Sequence, residues 1–149
     1  MKKAILIVFM LAVAVSPAVF AQAGPPPRQT YPAEVRGRDT GQRFESRHTV
    51  VVWAYDEENA LRLARQQLRT KNSFTFLRWI STEEYERMDF GETTGNGIFA
   101  ARSYLIRARY FINKRNYARS RADANIALQL DPYNQVGIEL DAELKRLGY

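Results

Sequence analysis

Residues 101–134 read ARSYLIRARYFINKRNYARSRADANIALQLDPYN, and the fold turns on how this stretch is taken. Pro132 cannot continue a helix and biases Asp131 towards extended backbone, so Asp131-Pro132-Tyr133-Asn134 ends the element to which Ala127-Leu128-Gln129-Leu130 belongs. Beyond it, Val136, Ile138, Leu140, Leu144 and Leu147 mark a further amphipathic helix over residues 136–147. The front of the stretch has two readings. As a strand, Tyr104, Ile106, Ala108 and Tyr110 alternate against Arg107 and Arg109 between Ser103 and Phe111. As a helix, it sets Arg102 and Arg109 two turns apart on one face, with Leu105 and Ile112 between and beyond them.

The helical reading resembles one tetratricopeptide repeat, the 34-residue helix-turn-helix unit of interaction scaffolds. Tyr104 stands at the repeat's opening aromatic position, Ala108 at the small position where the helices approach, and Phe111 at the second aromatic. Asn116-Tyr117 matches the turn and the start of the second helix, Ala127 lies in its closing stretch, and Pro132 in its terminator. Ser120 stands in place of the usual alanine, and Ala124 where a large apolar residue is common, which implies looser packing there. The resemblance covers about a quarter of the chain. It implies a groove on the inner helix formed by Arg102, Leu105, Arg109, Ile112 and Asn113, with Tyr133 and Asn134 at its end, suited to an acidic-and-apolar peptide. One repeat cannot bury its own faces. The hairpin must therefore pack on the preceding residues, on the helix that follows, or on another chain.

Working outward, Thr49-Val50-Val51-Val52-Trp53-Ala54-Tyr55 is dense in β-branched and aromatic residues and predicts a strand. Asp56 is an N-cap, Glu57 and Glu58 suit the positive end of a helix dipole, and Ala60, Leu61, Leu63, Ala64 and Leu68 share one stripe, so a helix is expected over 57–70. Phe74 to Ile80 reads as a second strand, giving a βαβ-like region over 46–90. Ser81 and Glu84 form a capping box for a short helix reaching Met88. Residues 91–98 carry three glycines and read as a linker, without a Walker or dinucleotide-binding pattern. The expected class is α+β: a βαβ-like platform, then a helical region over 99–149. Thr49 to Ile80 is also similar to the first half of the small peptidoglycan-binding domains called SPOR domains. That resemblance would make Ser103 to Phe111 a strand and 116–130 the second helix, although the usual aromatic-Val-Gly-Ser-Phe ending is absent.

At the front, Lys2 and Lys3, the apolar run from Ala4 to Val15 and the small-x-small Ala21-Gln22-Ala23 have the pattern of a secretory signal peptide over 1–23. The apolar run is shorter than the ~20 residues that span a bilayer, so no membrane anchor is expected after cleavage. The expected location is periplasmic or secreted. Residues 24–45 are polar and Pro-rich and read as a flexible leader. The remaining ~126 residues hold 20 basic and 16 acidic side chains, 17 of the bases being Arg. This mild excess is below nucleic-acid-binding density and compatible with an acidic protein, lipid headgroup or cell-wall polymer.

The chain has no cysteine and one histidine, which excludes disulfides and a Cys nucleophile. His48 at the leader's edge reads as a solvated strand end, with no nucleophile elbow to serve. Glu83, Glu84 and Glu86 read as solvated helix-start acids, and Trp53 and Trp79 as core. No cofactor or metal is expected. The resulting expectation is a non-enzymatic envelope adaptor or assembly factor. A peptidoglycan-binding domain and an obligate subunit of an envelope complex are the alternatives.

Overall fold

The computed structural model describes residues 28–41, 43, 45–95 and 97–149. Residues 1–23, read from the sequence as a signal peptide, and the start of the expected leader lie outside the described residues. The fold is mixed α+β, with a three-stranded antiparallel sheet and, among the described residues, six helices.

The first strand, β1 (Tyr31–Arg38), corrects the reading of 24–45 as a leader. It is the central strand, antiparallel to β2 (Arg47–Ala54) on one side and to β3 (Ser73–Trp79) on the other. Its positions on the α1 face are Ala33, Val35 and Gly37, alternating with Glu34, Arg36 and Arg38, so its apolar signal is faint. Gly37 is required by close approach. A Cβ there would come within 2.8 Å of Leu68 Cδ1 and 3.1 Å of Phe74 Cε1.

Helix α1 (Glu57–Gln67) joins β2 to β3 and ends three residues before the expected Thr70. Asp56 caps it, accepting from the Asn59 N–H at 2.8 Å. Because β1 runs antiparallel to both, β2 and β3 are parallel to each other but are separated by β1. The βαβ-like unit is therefore a split one. On one face of the sheet, Ala33, Val35, Val50, Val52 and Ala54 pack under Ala60, Ala64 and Leu68 of α1.

The other face of β2 carries the helical region. Helix α2 (Thr82–Arg87) is capped by Ser81, whose Oγ accepts from the Glu84 N–H at 3.1 Å. Residues 91–98 are not a linker. Gly91 lies inside α3 (Phe90–Thr94), Gly95 closes that helix in the left-handed region, and Gly97 opens α4 (Gly97–Asn113). Asp89 caps α3 through the Gly91 and Glu92 N–H groups and accepts from Tyr104 Oη at 3.0 Å. With α4 helical, the strand reading of Ser103 to Phe111 is set aside. Asn116 caps α5 (Tyr117–Leu130), Asp131-Pro132 ends it, and Asn134 caps α6 (Gln135–Arg146).

Two cores result, with β2 shared between them. Val51 joins Tyr85, Phe90, Ala101, Tyr104, Leu105, Ala108, Ala124, Ala127, Leu140 and Leu144, with Trp53 and Tyr110 packed against them. Burial on both faces explains why β2 reads as a continuous apolar run. Ala108, Ala124 and Ala127 are fully buried between α4, α5 and their neighbours. Ala108→Leu or Ala127→Leu should thus destabilise the domain by about 1–3 kcal/mol through overpacking, measured by thermal or urea unfolding. On α6 only Leu140 and Leu144 of the expected apolar stripe are buried, while Val136, Ile138 and Leu147 are exposed.

The Tyr104 hydroxyl, followed by the backbone N–H groups of Glu92 and Gly91, holds the Asp89 carboxyl below its ordinary value of 3.8. The Tyr110 hydroxyl, then Lys114, likewise holds Glu86 below 4.5. Both depressed values mean that ionisation favours the folded state. Their contribution is fully present above the unfolded values and is lost as pH falls through the lower folded ones. Asp89→Asn should accordingly flatten the acid limb of a stability-against-pH curve below about pH 4, read by urea unfolding.

Candidate functional site

Helix α4 is positioned on two sides. Its buried side is fixed by an ion pair hidden in the core: Arg107 Nε and Nη2 each donate to Asp123 at 2.8 Å, and both side chains are buried. Arg107 Nη1 donates to the main-chain oxygens of Tyr85 and Met88 at 3.0 and 2.7 Å. The guanidinium also lies 4.6 Å from the Phe90 ring centre. One side chain thereby ties α4 to α5 and to the end of α2.

The opposite side of α4 lines a cleft of about 430 Å³ with the end of α1 and the start of α6. Arg102, Leu105, Ile106 and Arg109 come from α4, Gln66 and Gln67 from α1, and Asn134 and Val136 from the α6 side. Four residues assigned to the groove from sequence, Arg102, Leu105, Arg109 and Asn134, are brought together here. Ile112, Asn113 and Tyr133 do not line it, and Tyr133 is 92% exposed. Ile106, Gln66, Gln67 and Val136 were missed. The glutamines belong to a helix distant in sequence, and Ile106 was assigned only to the discarded strand alternation.

The cleft's electrostatics are basic at its rim and apolar within. Arg102 Nη1 donates to the Gln67 carbonyl at 3.1 Å, using one of its five N–H donors. Arg109 pairs with Glu143 of α6, and both side chains remain substantially solvent-accessible. No family model, curated protein or solved structure matches this chain.

Other candidate residues are placed elsewhere. His48 is half-buried rather than solvated, its Nδ1 3.2 Å from the Thr94 carbonyl oxygen and its ring 5.0 Å from that of Phe99. Glu84 pairs with Arg78, and Glu86 pairs with Lys114 and Arg119, so two of the three acids are engaged rather than simply solvated. Trp53 packs against Tyr85 and Tyr110, whereas Trp79 is 41% exposed at the sheet's edge and is not core. Among the described residues no three His, Asp or Glu side chains gather as metal ligands, and no helix is long and apolar enough to cross a membrane.

Proposed function

We propose that this chain is an exported, non-enzymatic adaptor or assembly factor of the cell envelope that captures a partner protein in the cleft between α1, α4 and α6. The observation that carries the reading is the shape and chemistry of that cleft: two arginines two turns apart on α4, with Leu105, Ile106 and Val136 between and beside them. Cations at the rim of an apolar trough complement a segment that combines carboxylates with apolar side chains. Export is carried by the pattern over residues 1–23. The layout of α4, the Asn116 turn, α5 and the Asp131-Pro132 stop supports the tetratricopeptide-like assignment of the hairpin.

Arg102→Glu with Arg109→Glu tests the site. Partner capture should be abolished while the unfolding midpoint changes little, because both side chains lie at the solvent-exposed rim. Unchanged affinity would remove the groove from the function. A second reading, an obligate subunit of an envelope complex, is favoured by the exposed Leu130, Tyr133, Val136 and Ile138 at the α5–α6 junction. In that case the isolated chain should fold poorly without its partner.

A further inference from the structure

Among the described residues, β2 is an edge strand, and its residues Thr49 to Val52 are buried. Val51 and Val52 are 2% and 3% exposed, yet among the described residues β2 pairs only with β1. In an antiparallel ladder, neighbouring residues turn their N–H and C=O groups alternately towards the partner and away from it. Of Val51 and Val52, one therefore faces the open edge. Outside the β1 ladder no backbone hydrogen bond is made by residues 47–54 to any described residue. Buried main-chain polar groups without a protein partner are costly and uncommon.

The open edge is the floor of a second cleft, about 260 Å³, walled by Leu63, Gln66 and Gln67 of α1 on one side and Ile106 of α4 on the other, with Val51, Val52 and Trp53 beneath. Gln66, Gln67 and Ile106 also line the larger cleft, so the two adjoin. Side by side, they place the edge of β2 on one side of Gln66, Gln67 and Ile106 and Arg102 and Arg109 on the other. The α1 and α4 walls flank that edge on both sides and so limit what can pair with it.

We propose that the partner segment binds by adding a strand to the free edge of β2. Its main chain completes the β2 hydrogen bonds, an apolar side chain enters between Leu63 and Ile106, and a carboxylate side chain a few residues away meets Arg102 and Arg109. This rests on the protein-capture reading of the larger cleft and specifies its geometry. The occupant is an extended acidic-and-apolar peptide, because the guanidinium pair of the adjoining cleft complements carboxylates and the edge of β2 accepts only extended backbone.

The test uses linear twelve-residue peptides selected from a random phage-displayed library against the full folded chain. Selection should enrich peptides with alternating apolar residues and nearby Asp or Glu, whose binding is lost in Arg102→Glu/Arg109→Glu. Binding should slow hydrogen exchange at an amide of Val51 or Val52. N-methylation of alternate peptide amides should weaken affinity about tenfold or more, as expected for two lost main-chain hydrogen bonds. Arginine-dependent peptides that tolerate N-methylation and leave the β2 amides unchanged would overturn strand addition while preserving the capture reading. Failure to enrich any arginine-dependent peptide would overturn both. If raising the protein concentration alone protects the same amides and yields a dimer by sedimentation, the occupant is a second copy and the proposal for a peptide partner fails.

Discussion

Asp123→Ala should cost the fold about 3–5 kcal/mol, among the largest effects expected of a single side-chain substitution in this domain. The change leaves the Arg107 guanidinium, 7% exposed, in the core without its counter-ion. Its remaining polar contacts are two main-chain oxygens, those of Tyr85 and Met88, which cannot replace a bidentate carboxylate. Replacing both partners, as Arg107→Met with Asp123→Leu, removes the buried charges together and should recover part of the loss. Recovery should be incomplete because the Met88 carbonyl then loses its Arg107 donor and that of Tyr85 keeps only the Met88 N–H, at 3.4 Å. Urea unfolding of the three variants measures this directly. A loss below about 1 kcal/mol in Asp123→Ala would mean that the pair is solvated and does not hold α4 in place.

The second large effect concerns β1. A chain beginning at Asp39 should show no cooperative unfolding transition, whereas one beginning at Gly24 should. β1 lies between β2 and β3, so removing it breaks both ladders at once. It also strips Ala33 and Val35 from beneath α1. The α1 face would be left exposed on a chain too small to compensate. Circular dichroism during heating distinguishes the two chains. A cooperative transition in the shorter one would show that β1 is dispensable.

That prediction also shows where the sequence was opaque. β2 was legible because burial on both faces demands an unbroken run of Val and Trp, and α1 because its cap and stripe agree. β1 was not, because a central strand under a small helix needs only Ala33, Val35 and Gly37 towards that helix, and Glu34, Arg36 and Arg38 dilute them. The helices of the C-terminal region followed from Pro132 and from the spacing of Tyr104, Ala108 and Phe111. The Arg107–Asp123 pair was hidden, since a residue sixteen positions away on another helix decides whether an arginine is buried. The same holds for the cleft. Arg102, Leu105 and Arg109 share a helix face that periodicity reveals, but the wall formed by Gln66 and Gln67 depends on how α1 packs against the sheet.

The measurement that bears most directly on the proposed function is in-cell photo-crosslinking from a probe at Ile106, inside the cleft, beside a control probe at Arg146 on the far end of α6. Capture in the cleft calls for a discrete protein adduct from position 106 that disappears when Arg102 and Arg109 are changed to Glu and is absent from position 146. Equal adducts from both positions, or capture only on insoluble cell-wall material, would contradict it.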